Sequence, residues 1–299
     1  MNWIVIAIGA HFFWALVNIG DKHVIANKVK NPYVYMVWLA FLGILAAAII
    51  PFVDFIIPTG MILFWLILGS ALPLFSTVPY FKALQIEEVT RINIWWQMIP
   101  IFSFVIAWFV LDEKFNLNLI FAFALLVIGG IVASLHFKKG EVKFSRAFWL
   151  MVISCAGYAI YAVIFRYITQ FIPFVSAFIW VSVLMGVYAL AFLISKKFRY
   201  DFKNETKKLA DRKFLSTVLG ISLFDNLGSL FNIWALSLGP VALVFAMEGW
   251  QILFVFILAL AISAYKPHIL KEELDKKNLI LKFTALILMI IGIIVINLG

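Results

Sequence analysis

Two carboxylates, Asp225 and Glu248, lie in stretches where nearly every neighbour is apolar. A carboxylate away from water needs a cationic partner, a full set of hydrogen bonds, or a proton. Either residue therefore suits a permanent structural pair, or chemistry in which charge is exchanged: proton uptake and release, or recognition of a cationic amine. Asp225 is not isolated, because Ser222, Asp225, Asn226, Ser229 and Asn232 recur at the spacing that puts side chains on one helix face. His11, Trp14, Asn18 and Lys22 recur in the same way, as do Ser70, Pro73, Thr77 and Tyr80. Thr90, Asn93 and Gln97, with Arg91 beside them, form a fourth group. Glu248 with Gln251, and Tyr158 with Tyr161 and Cys155, complete the set.

Such stripes either line a polar space or hold helices together by hydrogen bonds alone. His11, of a type whose unperturbed pKa is about 6.5, suits a proton relay or a hydrogen-bonded packing residue. Arg91 and Lys22 suit the carboxylate of a zwitterionic solute, or lipid head groups reached by snorkelling. His11, Arg91 and Lys22 are also the cationic neighbours available to Asp225 and Glu248. Trp96 and Trp250 adjoin Gln97 and Gln251; their faces could receive a cation, or could serve packing and an interfacial belt.

The elements that must position these groups follow from composition. Hydrophobic residues make up 65% of the 299-residue chain and charged residues 13%. An apolar run of about 20 residues is the length of a helix that crosses hydrocarbon, and only a helix closes its own backbone hydrogen bonds there. The sequence predicts ten such spans, at 3–20, 32–51, 60–80, 92–111, 118–137, 147–165, 174–195, 216–236, 241–264 and 280–298. This is the pattern of an all-α polytopic membrane protein. Residues 3–20 are read as a retained span, since no basic leader precedes them. The long connection from Lys196 to Leu215 reads as a solvated loop or surface helix.

Charges gather in the connections, so the net charge of +9 informs orientation and lipid contact rather than nucleic-acid binding. Connections after odd-numbered spans, with Lys282 at the start of span 10 included, hold 22 of the 24 Lys and Arg residues, the others holding only Lys114 and Arg166. That asymmetry predicts odd connections inside and both termini outside. The lone Cys155 excludes an intrachain disulfide and a cysteine zinc cluster.

The halves resemble one another. Residues 83–111 align without a gap on 235–263 with six identities in 29 positions, and Trp14-Ala15 with Lys22 fall on Tyr158-Ala159 with Arg166. Units of five spans each must be inverted relative to one another, the architecture of alternating-access transporters. The run Tyr80-Phe81-Lys82-Ala83-Leu84, Pro100, Leu111-Asp112-Glu113-Lys114 and Gly129-Gly130 resembles the EamA-type domain. Two in tandem look like a ten-helix member of the drug/metabolite transporter superfamily. The predicted units are 1–137 and 147–299, with 138–146 as linker. The second departs from the pattern, with Ile252 in place of Pro100 and about eight extra residues before Glu272-Glu273. The resemblance implies the fold, transport and export of a small organic solute, but no particular substrate; many members are described with cytoplasmic termini, opposite to the charge count.

Spans 5 and 10 carry almost nothing polar beyond Ser134 and Thr284, which predicts a cavity lined by spans 1, 3, 4, 6, 8 and 9. Its predicted lining is His11, Trp14, Asn18, Thr77, Tyr80, Asn93, Trp96, Gln97, Tyr158, Tyr161, Asp225, Asn226, Ser229, Glu248, Trp250 and Gln251, with Asp225 and Glu248 as proton-coupling candidates. Pro73, Pro79 and Pro100 are expected to interrupt their helices, and Gly220, Gly228 and Gly249 to allow close approach. There is no His-Glu-x-x-His, Gly-x-Ser-x-Gly or P-loop, and His23, His136 and His268 are scattered, so the sequence points to no enzyme, no resident metal and no cofactor. A lipid flippase and a non-transporting receptor or structural protein remain alternatives. The expected partners are a small organic solute and membrane lipids; a homodimer is left open, and a prokaryotic plasma membrane is the expected location.

Overall fold

The computed structural model describes residues 3–84, 86, 92, 95–134, 146–265 and 276–298. Thr90, Arg91, Asn93 and the side chains of Lys22 and Ser134 lie outside the described residues. The helices are α1 (Trp3–Asn27), α2 (Pro32–Gly43, continued by a 3₁₀ stretch Ile44–Phe52), α3 (Gly60–Leu84), α4 (Met98–Leu111), α5 (Leu117–Ser134) and α6 (Arg146–Ile168). They continue as α7 (Phe174–Ala189), α8 (Lys196–Thr206), α9 (Arg212–Leu238), α10 (Val241–Ala246), α11 (Gly249–Tyr265) and α12 (Lys276–Leu298). Seven stretches are long and apolar enough to cross a membrane, one of them bridging α10 and α11. Three shorter apolar helices, α4, α5 and α12, bring the total to ten. The protein is an all-helical integral membrane protein over its described residues.

Three local outcomes differ from the sequence reading. First, α1 continues to Asn27, seven residues beyond the predicted end, so Asp21 belongs to a helix rather than a connection. Second, α3 is continuous through Pro73 and Pro79. A proline costs a helix one hydrogen bond and a clash, yet α3 stays helical through both, with Thr77 Oγ1 bonding back to the Pro73 carbonyl at 2.9 Å. Third, the fourth span breaks at Gln97 rather than Pro100. Pro100 falls in the first turn of α4, where its missing N–H has no intrahelical partner to lose. The ninth span breaks too, at Met247-Glu248 between α10 and α11, where no proline stands. There the N–H groups of Met247, Glu248, Trp250 and Gln251 bond three residues back, at 2.9–3.3 Å, a tightened turn in place of α-helical spacing.

Helices of one half pack chiefly on helices of the other: α1 on α9 and α11, α3 on α6 and α7, α4 on α6, α2 on α7, and α5 on α12. The outer faces are apolar, with Val5, Phe109, Leu223 and Phe283 exposed, as suits hydrocarbon contact. The predicted surface element between spans 7 and 8 is the helix α8. Ser195 caps it through Phe198 N–H, and Trp38 Nε1 donates to Thr206 Oγ1 at 3.0 Å. Asn31 Nδ2 donates to Asp201 at 3.0 Å, and Lys208 Nζ to the Lys28 carbonyl at 2.7 Å. These bonds bring the basic connections after spans 1 and 7 onto one face.

The broken helix of the second half reaches α5 through glycines. A Cβ on Gly249 would lie 2.9 Å from the Gly130 Cα, a backbone atom that cannot step aside, whereas one on Gly220 would meet nothing within 4 Å. Alanine favours helix over glycine by about 1 kcal/mol where space allows. Gly220→Ala is therefore expected to hold or raise the thermal midpoint of the purified protein, and Gly249→Ala to lower it by several degrees. Equal midpoints for the two variants would show that the α11–α5 contact tolerates a side chain.

Candidate solute-binding site

The inner face of α1 sets the site. His11, Trp14, Asn18 and Asp21 share that face, opposite the exposed Val5 and Phe12. Asn18 on that face is nevertheless exposed. Tyr35 of α2, fully buried, donates its hydroxyl to Asp21 Oδ1 at 2.5 Å. The Trp14 indole stands beside Asp225 of α9, within interaction distance. Gly228 leaves the room that indole fills, since a Cβ there would sit 2.7 Å from Nε1. Asp21 and Asp225 are close enough to interact electrostatically. One pair of helices thus brings two carboxylates together inside the bundle.

Beside them stands a cluster of rings. Trp96 packs on Tyr80 and on Tyr158, with centroids 4.9 and 5.5 Å apart, and Tyr80 also bonds Trp96 through its hydroxyl. The Tyr158 hydroxyl meets Thr77 Oγ1 at 2.8 Å, which fixes its ring on α3. Tyr161, one turn along α6, is buried against Phe165 with centroids 4.7 Å apart and lies within electrostatic reach of Asp225. Glu248, at the break between α10 and α11, is within electrostatic reach of Tyr80 and Tyr158. Its Oε2 atom is buried with no hydrogen-bond partner.

Other predicted residues have different surroundings. His11 is buried, bonds Gln251 Oε1 through Nδ1 at 3.2 Å and packs edge-on against Trp14; neither carboxylate is its hydrogen-bond partner. Gln97 is 1% exposed, and its amide lies over Gly130 with neither atom hydrogen-bonded. Trp250 packs on Phe254, against the same apolar core as the ring cluster. Asn226 bonds the Ser222 carbonyl at 2.7 Å and faces Gly43 of α2. Ser229 is half-buried on α9. Asn93 lies outside the described residues.

The sequence reading missed Asp21 and Tyr35. Asp21 follows Asn18 by three residues, the helical spacing of the stripe it belongs to, and only the early end assigned to span 1 hid it. Tyr35 carries no such signal. It is one aromatic among many in an apolar run, and its role comes from α2 packing beside α1.

Residues 1–135 match the EamA-like transporter family, so the first half of the chain is similar to that family. Among curated proteins nothing matches. A crystal structure described only as that of a protein is similar over 99% of this chain and 96% of its own length, with a TM-score of 0.68 and 13% identity. At that identity the likeness shows the fold alone, and it extends that fold across both halves.

The two halves are also tied together outside the spans. Asp112 ends α4 in the left-handed conformation, at φ 51°, and Glu113 follows it. Glu113 Oε1 accepts from Val241 N–H at the start of α10, at 3.3 Å, where the helix N-terminus favours a negative charge. Arg166 Nε stands 3.9 Å from the same oxygen, while Arg166 Nη1 donates to the Leu236 carbonyl at the end of α9, at 2.8 Å. Burial pushes the Glu113 carboxyl above the usual carboxylate range, opposed by the Val241 bond and by Arg166. Arg166→Ala would strand both the carboxylate and the Leu236 carbonyl, and is expected to destabilise the protein by about 2 kcal/mol. Adding Glu113→Gln should recover part of the loss, because the amide oxygen still accepts from Val241 and carries no charge. Additive losses in the double variant, read as thermal midpoints, would mean that the two side chains act independently.

Proposed function

We propose that the chain is a secondary transporter for small organic solutes such as amino acids, amines and related metabolites. It works by alternating access at the opening between α1, α3, α6 and α9, and it exports its solute in exchange for protons. Two inverted five-helix units, 1–137 and 147–299 joined by 138–146, form the two sides of that opening. One observation carries the reading: a polar, partly exposed face inside the bundle is flanked by two spans, one from each half, that break at matching positions of the 83–111 and 235–263 alignment. Broken helices at a shared interface are how transporters build a solute site within a membrane, and irregular backbone survives at that depth only beside protein or a water-filled space. The exchange of helix pairings between the halves supports the repeat, and the EamA-like match supports transport.

Asp225 is the leading coupling group and Glu248 the second, since both stand where a charge gained or lost changes the fit between the halves. The basic connections face the cytoplasm, which puts both termini outside, in a prokaryotic plasma membrane. No enzymatic step belongs to this reading.

Efflux from proteoliposomes loaded with a mixture of amino acids and amines tests it. Solute loss should depend on an imposed proton gradient and vanish in Asp225→Asn, with the variant still inserted and monodisperse. Equal, gradient-dependent loss from both proteins would clear Asp225 of coupling. If no solute moves while labelled lipid changes leaflet, the protein is a flippase.

A further inference from the structure

The solute reading can be narrowed by charge. Asp21 from α1, Asp225 from α9 and Glu248 from the α10–α11 break come from separate elements and converge on the ring cluster of Tyr80, Trp96 and Tyr158. Among the described side chains no Lys or Arg forms an ion pair with any of the three; the described pairs are Lys114–Asp112, Arg166–Glu113 and Lys208–Glu205. His11, a basic side chain of the α1 stripe, is bonded to Gln251 instead.

Asp21 has one recorded neutral donor, Tyr35, and Asp225 has Trp14 beside it. A carboxylate offers about four acceptor positions, so each retains capacity toward the opening. Glu248 adds an independent sign of a missing partner, because its Oε2 is enclosed by protein and accepts no hydrogen bond. A buried polar atom without a partner is costly enough to be rare. The adjoining rings present faces whose quadrupole attracts positive charge. Carboxylates, an enclosed acceptor and aromatic faces all call for one kind of guest.

We infer that the site takes an organic cation, an ammonium group on an aromatic or apolar body, with the charge set between Asp21 and Asp225 and the body against Trp96, Tyr80 and Tyr158. The opposite charge pattern is disfavoured, since an anionic group would meet like charges in a partly desolvated space. This assignment rests on reading the opening as the solute path, and it goes beyond transport by naming the guest's charge and the two aspartates that hold it. A zwitterion would need a cation for its own carboxylate; Arg91 and Lys22, whose side chains lie outside the described residues, are the ones the sequence offers.

A matched series separates the cases: 2-phenylethylamine, phenylalanine and 3-phenylpropionate share a phenyl body and differ in charge. Equilibrium binding to the purified chain in lipid nanodiscs, at neutral pH and by calorimetry, should rank the amine at least about tenfold tighter than phenylalanine, with the propionate not bound. Asp21→Asn and Asp225→Asn should each weaken the amine by at least about tenfold, and Asp21→Glu, which keeps the charge, by less. Trp96→Ala should weaken it as well, and Trp96→Phe should restore part of the affinity. Size-exclusion profiles show which variants fold; if an Asn variant does not, the ranking on the unaltered protein still decides. Phenylalanine or phenylpropionate binding as tightly as the amine would overturn the assignment, and so would absence of amine binding. Amine binding with no efflux of any solute would keep the site and remove transport. Amino-acid efflux without amine binding would do the reverse.

Discussion

Hydrocarbon offers no hydrogen bonds, so every polar group at membrane depth must find its partner within the protein. Most of this chain meets that condition with unbroken helices, whose peptide groups bond along their own axis. Departures from it therefore need a local account. At Met247-Glu248 the account is a set of bonds reaching back three residues. At Pro73 and Pro79 the helix stays continuous although each proline lacks an N–H. Among the described residues the condition is unmet at Glu248 Oε2, the Gln97 amide and Trp250 Nε1, beside the two breaks, and at Ser103 Oγ and Glu113 Oε2, along and just after α4.

The same constraint explains why the site belongs to neither half alone. Asp21 accepts from Tyr35 on the neighbouring helix of its own half, whereas Asp225 stands beside Trp14 of the other. The glycine under that indole, Gly228, sets how closely α1 and α9 approach. A rotation of one half against the other would change the separation of the two carboxylates and the seating of the Trp14 ring together. Charge and movement are thereby coupled through a few contacts.

Much of this was legible in the sequence, because bilayer thickness imposes a length on each span and helical pitch imposes a spacing on each stripe. Ten spans, the α9 stripe and the bare polar content of spans 5 and 10 follow from those two rules. Pro100 misled by about one turn, since a proline marks a strain on hydrogen bonding without fixing which residue yields. The break at Met247-Glu248 had Gly249 as its only local sign. Trp96 joined the ring cluster and Trp250 did not, a difference set by the direction in which each broken helix resumes, which spacing does not encode. Tyr35 shows the limit most plainly: its partner lies on another helix, and only packing brings the two together.

The packing of α1 on α9 joins segments made far apart in time. Ribosomes deliver α1 first, and α9 follows only after about 185 intervening residues have emerged. Until then Trp14 and Asp21 face lipid, the insertion machinery, or helices that are not their final neighbours. Glu113 waits in the same way for Arg166 and Val241. The first half of the polypeptide is thus laid into the membrane with its polar surface uncovered, and assembly ends only when the second half docks against it. Biogenesis of this protein is a late closing of two unfinished faces on one another.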